Sequence, residues 1–158
     1  MLENTIFDRN CFLFTIDFKS LYTNISVKDA IKLMNMFFFK YQNVIPNSHF
    51  IMELMELVLT SAVMKFQEEF FLQILGIVMG TNLAPILANM YMAILEEELY
   101  IKCKNKNIKL PEMYKRCIDD GFGVIKSNKK EVSKWVFELN NLRENIFIDK
   151  WHFGNKVA

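Results

Sequence analysis

The chain has 158 residues, enough for one domain with a sizeable core, and its 52% hydrophobic and 23% charged residues exclude a disordered chain. Its 19 basic and 18 acidic residues nearly cancel, which excludes a uniformly basic nucleic-acid binder; any such binding rests on local patches, the densest basic runs being Lys102–Arg116 and Lys126–Lys134. The cysteines Cys11, Cys103 and Cys117 have neither zinc spacing nor a disulfide framework and fit a reducing compartment.

Cys11–Ile16 is a nearly continuous run of strand formers that reads as a buried strand ending at Asp17. Ser26 followed by Asp29 predicts a helix start, with the helix running from Val27 to about Gln42 and burying Ile31, Met34, Phe38 and Tyr41. After a loop around Pro46, a second helix spans Ser48–Ser61 with Phe50, Leu54, Leu57 and Val58 on its apolar face. Val63–Phe66 and Phe70–Ile74 read as a hairpin around an acidic turn, and Gly76–Asn82 as a glycine-punctuated loop. Pro85 suits the first turn of a helix that runs to about Lys104, whose second half, from Glu96-Glu97-Glu98 onward, is expected to leave the core. Tyr114–Val124 reads as a second hairpin with an acidic tip, because Asp120-Gly121 between strand formers predicts a tight turn. Asn128 predicts the cap of a helix from Lys129 to about Leu142 with Val132, Trp135, Val136 and Leu139 as its stripe. Asn145–Ile148 is a short last strand, and Trp151–Ala158 reads as a chain stopping before its next element.

Phe70–Leu95 holds no charged residue, but Gly80, Thr81, Asn82 and Pro85 interrupt its middle, so it is not expected to span a membrane. Met1–Asn4 shows no basic region followed by an apolar run, so no secretory signal is expected. The order of elements predicts an α+β fold in which helices pack on one face of an antiparallel sheet. In such a sheet the strand ending at Asp17 and the hairpin carrying Asp119 and Asp120 can lie side by side. Crowded carboxylates repel unless a cation neutralises them, and Mg²⁺ takes oxygen ligands of this kind together with substrate phosphates. Read singly, Asp17 is a solvated strand-end acid and the hairpin tip a solvated turn.

Phe14–Ile25 closely resembles the first palm motif of reverse transcriptases, in the form used by Penelope-like retroelements. Gly76–Met92 resembles the second motif of that group, and Arg116-Cys117-Ile118-Asp119-Asp120 the third, its aromatic-x-Asp-Asp box, with Cys117 in the aromatic position. The resemblance implies a polymerase palm: a retrotransposon-type, RNA-directed DNA polymerase that joins deoxynucleoside triphosphates to a primer 3′-OH on an RNA template. It implies that Asp17 and Asp119 hold two Mg²⁺ ions (or Mn²⁺), with Asp120 nearby and the Phe18 carbonyl as a further ligand. Ser20 and Leu21 then meet the triphosphate through backbone N–H groups, and Tyr22 is the gate against a ribose 2′-OH. Met79 and Gly80 lie against the nucleotide, and Thr81, Asn82 and Pro85 belong to the template and primer loop. Residues 1–158 then form one partial domain, a palm with part of the fingers, whose missing fingers and thumb belong to a longer polyprotein. An intracellular location is implied, with the nucleus following from retroelement biology. The alternative is an inactive relic or nucleic-acid interaction module that keeps the palm fold. In that light Gly121 and Gly123, placed within a strand, are signs of a decaying copy.

Overall fold

The computed structural model describes residues 10–156; the terminal stretches Met1–Asn4 and Val157–Ala158 of the sequence reading lie outside them. In chain order the elements are β1 Phe12–Phe18, α1 Leu21–Asn24, α2 Val27–Lys40, α3 Ser48–Thr60, β2 Val63–Phe66, β3 Glu69–Leu72, α4 Leu83–Asn105, β4 Met113–Cys117, β5 Asp120–Ile125, α5 Lys129–Asn140 and β6 Ile148–Lys156. They form two compact units, one of residues 10–19 and 95–156, the other of residues 20–94.

The first unit is a four-stranded sheet in the order β4-β5-β1-β6, antiparallel at every pairing, with helices on one face. Alternation along β1 buries Phe14, Ile16 and Phe18 on that face. The predicted stripe of α5, Val132, Trp135, Val136 and Leu139, is buried. Trp135 meets the rings of Phe14 and Tyr114 edge-on, at centroid distances of 5.8 Å and 5.2 Å. Asn128 caps α5 as expected, its Oδ1 accepting from the N–H groups of Lys130 and Glu131.

Four expectations need correction in this unit. The second half of α4 does not leave the core: Leu95, Leu99 and Cys103 are buried, and the intervening acids are paired, Glu96 with Arg116 and Glu98 with Arg143. The last strand is β6, which covers Trp151–Phe153 and pairs along the length of β1, so this stretch completes the sheet. The tight turn falls at Ile118-Asp119, earlier than Asp120-Gly121, and Gly121 is drawn into β5 opposite Ile16. The strand glycines are fitted to their neighbours: a Cβ on Gly123 would lie 2.2 Å from the Phe14 ring, and one on Gly121 2.5 Å from Ile16 Cγ1.

In the second unit, α2 begins as expected, with Ser26 Oγ accepting from the Asp29 N–H. Ala30, Leu33, Met34 and Phe38 are its buried residues, whereas Tyr41 is exposed. Helix α3 turns the other way from expectation: Met52, Met55 and Leu59 are buried, and Phe50, Leu54, Leu57 and Val58 are exposed. The expected hairpin is present as β2 and β3. Tyr91 of α4 donates from its buried hydroxyl to Asp29 Oδ2 at 2.6 Å, tying α4 to the first turn of α2. Among the described residues no helix is long and apolar enough to cross a membrane.

Candidate functional site

The register of the first unit's sheet assembles the acidic site. Asp17 lies opposite Asp120 in the β1–β5 ladder. Cys117 lies opposite Asp120 on one side, and Lys150 opposite Asp17 on the other. Directly opposed residues of an antiparallel pair share a face, so Cys117, Asp120, Asp17 and Lys150 form one row across all four strands. The next row is Lys115, Phe122, Thr15 and His152. All eight line a depression of about 660 Å³ in this unit.

Asp119 sits in the turn. Its backbone carbonyl accepts from the Phe18 N–H at 3.0 Å, which joins the end of β1 to the tip of the hairpin. Ile118, just before it, has φ +56°. A positive φ at the first central residue is what a tight hairpin turn of the II′ kind demands, yet a β-branched residue there is strained. The Arg116 side chain reaches this turn, its Nη1 donating to the Ile118 carbonyl at 2.9 Å. Behind β4, burial pushes the Tyr114 phenol above its ordinary value, the Glu96 carboxylate adds to this and Arg116 opposes it.

Opposed carboxylates at a cross-strand separation of about 5 Å repel one another. The carboxylates of Asp17, Asp119 and Asp120 make no ion pair or side-chain hydrogen bond among the described residues, so their oxygens are uncommitted. Nor do three or more His, Cys, Asp or Glu side chains converge into a ready-made metal cage among the described residues. Of the three aspartates, Asp17 and Asp120 line the depression and Asp119 does not; two carboxylates are a donor set that suits a hard cation of the Mg²⁺ kind, which takes one or two of them and completes its shell with substrate phosphates and water.

The other expected site residues belong to the second unit. Ser20 has φ +45° and opens α1, its carbonyl accepting from the N–H groups of Thr23 and Asn24. Leu21 is buried and Tyr22 half-buried. The Tyr22 carbonyl accepts from the Ile77 N–H at 2.7 Å, so the segment after β1 is stitched to the glycine loop. Gly76 permits that approach: its φ is +75°, and a Cβ there would lie 2.7 Å from Thr23 Cα. Met79, Gly80, Asn82 and Pro85 are exposed, and Gly80 has φ +97° with open space at its Cβ position. The Thr81 hydroxyl donates to the Val78 carbonyl and accepts from the Ala84 N–H, which fixes the start of α4. Pro85 is the third residue of α4, within the turn where its missing N–H costs nothing.

The sequence reading missed Lys150 and His152, and it held Lys115 only as part of the basic run Lys102–Arg116. Only the pairing of β4 and β6 into the sheet places their basic groups beside the acids.

No family model matches the chain, and no curated protein matches it. Solved structures do. The apo telomerase of Candida tropicalis truncated from its C-terminal domain superposes with a TM-score of 0.68 at 13% identity, over 94% of this chain and 31% of that one. The apo telomerase of the same organism gives a TM-score of 0.68 at 14% identity, over 98% and 30%. The telomerase of that organism in complex with the TWJ fragment of telomeric RNA gives 0.63 at 14% identity, over 90% and 26%. The chain thus spans less than a third of the length of these structures, and what it shares with them is the reverse-transcriptase-type fold.

Proposed function

We propose that this chain is the palm portion of a reverse transcriptase, of a Penelope-like retroelement by its motifs, that transfers deoxynucleotides to a primer 3′-OH on an RNA template. The observation that carries the reading is the register of Asp17 opposite Asp120, with Asp119 tied by its carbonyl to Phe18, on a sheet of the reverse-transcriptase type. Asp17, Asp119 and Asp120 hold two Mg²⁺ ions in this reading, with the Phe18 carbonyl as a further ligand. Bound there, the metal supplies Lewis-acid stabilisation of the charge on phosphate and on the attacking and leaving oxygens.

The chain's own part is positioning. Rigid strand ends hold the carboxylates, and such pre-organisation supplies most of the catalysis in phosphoryl transfer. Lys115, Lys150 and His152 give the same face a basic flank for the phosphates of template and primer. The backbone of Ser20 and Leu21 meets the triphosphate, Tyr22 screens the sugar, and Met79–Pro85 borders the templating base. Fingers and thumb come from the remainder of a longer polypeptide. The nucleic-acid ligand finds support in the telomerase structure solved with RNA.

The test is primer extension on an RNA template with Mg²⁺ and deoxynucleoside triphosphates, comparing the chain with Asp119→Asn and Asp17→Asn. Incorporation by the parent chain alone is the expected result. Equal incorporation by all three overturns the metal assignment. RNA binding without incorporation by any of them favours a non-catalytic interaction module on the same fold.

A further inference from the structure

The acidic turn is held from behind by one side chain. Arg116 is on β4, and its side chain is only 6% exposed. Its Nε donates to Glu96 Oε1 at 2.6 Å and its Nη2 to Glu96 Oε2 at 3.4 Å, a two-pronged grip on α4. Its Nη1 donates forward to the Ile118 carbonyl at 2.9 Å. One planar group therefore spans helix and turn, and Ile118 is the residue of the turn with φ +56°. A β-branched residue rarely holds that conformation unless its surroundings impose it. The next residue is Asp119, whose carbonyl in turn fixes the end of β1 through Phe18.

We infer that Arg116 is a positioning residue for the acidic site: anchored on Glu96, it holds the Ile118 carbonyl and with it the left-handed turn that presents Asp119. This rests on the polymerase reading only for its consequence; the hold on the turn is a separate claim. Lysine cannot replace arginine here, because an ammonium on a flexible stem lacks the rigid fork that reaches two acceptors in different directions. Glycine at 118 would make the hold dispensable, because it takes positive φ without strain.

The experiment compares the parent chain, Arg116→Lys, Arg116→Lys/Ile118→Gly, and Glu96→Gln, by two readouts. One is the amide resonances of Asp119 and its neighbours in the metal-free protein; the other is Mn²⁺ affinity by electron paramagnetic resonance. Arg116→Lys is expected to shift the turn resonances and weaken Mn²⁺ binding about tenfold, since small misplacements of site groups have effects of that size or larger. The double variant is expected to regain the parent's affinity. Glu96→Gln, which keeps the forward bond and loosens the anchor, is expected to fall between them, and it carries the test if Arg116→Lys does not fold. Unshifted turn resonances in Arg116→Lys, or a double variant as impaired as the single one, overturn the inference and leave Arg116 as a core ion pair. A parent chain that binds no Mn²⁺ overturns the metal reading instead, and the turn resonances still decide the hold.

Discussion

Gly123 of β5 lies opposite Phe14 of β1, and the Phe14 ring occupies the space that a Cβ on residue 123 would need. The ring cannot easily retreat, because Trp135 of α5 packs edge-on against it. A feature that looks like weakness in the strand is thus a condition of packing a large aromatic beneath it. Gly123→Ala should destabilise the fold by about 1–3 kcal/mol, the usual cost of overpacking a filled core. Urea unfolding measures this. Phe14→Leu in the same chain should recover part of the loss, and additive losses in the double variant would contradict the contact.

The register explains which features were readable in advance. Caps at Ser26 and Asn128 and the stripe of α5 depend on nearby residues, and they stand where their patterns put them. Helix α3 was misread because it has two apolar faces: Met52, Met55 and Leu59 recur at helical spacing as well as Phe50, Leu54 and Val58, and periodicity cannot choose between them. Turn position and strand β6 were missed for a different reason. Both follow from pairing with β1, where Ile16 needs a glycine opposite and β6 finds its partner more than a hundred residues away in sequence. The candidate acids were named from their motifs, whereas Lys150, opposite Asp17, is placed only by that long-range pairing.

Asp17 and Asp120 are opposed like charges with no ion pair among the described residues, which costs stability in the metal-free chain. Asp120→Asn should therefore raise stability in EDTA by about 0.2–1 kcal/mol, the range of cross-strand charge pairs. The gain should shrink as salt screens the repulsion. Metal should reverse the order, with Mg²⁺ or Mn²⁺ raising the melting temperature of the parent chain more than that of the variant. Thermal melts in EDTA and in metal, at low and high salt, check both signs.

Tyr22 is half-buried, and its carbonyl is held by the Ile77 N–H. Its backbone place is therefore independent of its ring, so Tyr22→Ala should remove the ring without moving the segment. If the ring excludes a ribose 2′-OH, the preference for deoxynucleotides over ribonucleotides should fall by about tenfold or more, since steric rejection is lost outright. Competitive incorporation of the two nucleotide types measures the ratio, and an unchanged ratio removes Tyr22 from sugar selection.

Glu138 of α5 is buried on α5 between Lys106, whose Nζ is 2.7 Å from its Oε1, and Lys102, 3.1 Å from its Oε2. The bond from Lys106 is the main cause that holds its carboxyl below the ordinary value of 4.5, against the opposing effect of burial. A depressed acid stabilises the fold at every pH above the unfolded value, and the contribution is lost as pH falls through the lower folded value. Glu138→Gln should therefore cost about 1 kcal/mol or less at pH 7, the lysines keeping solvent contact, and progressively less as the solution is taken below that range. Urea unfolding at neutral and acid pH tests the sign, and a penalty that grows on acidification would contradict it.

Among the described residues the buried Tyr114 hydroxyl, behind β4, has no hydrogen-bond partner. Burial is the first cause that raises its phenol above the ordinary value of 10.0, and the Glu96 carboxylate the second. A phenol raised on folding gives stability that is complete below pH 10.0 and is lost as pH rises toward the folded value, because the unfolded chain releases the proton first. Tyr114→Phe removes both the unsatisfied hydroxyl and this proton. It keeps the ring against Trp135, so at pH 7 it should leave stability unchanged or raise it by about 1 kcal/mol. Its stability should also decline less than the parent's between neutral and strongly alkaline solution. Unfolding free energies across that span measure both effects. A clear loss at pH 7 would show that the hydroxyl is bonded in solution, in which case Glu96 serves Tyr114 as well as Arg116.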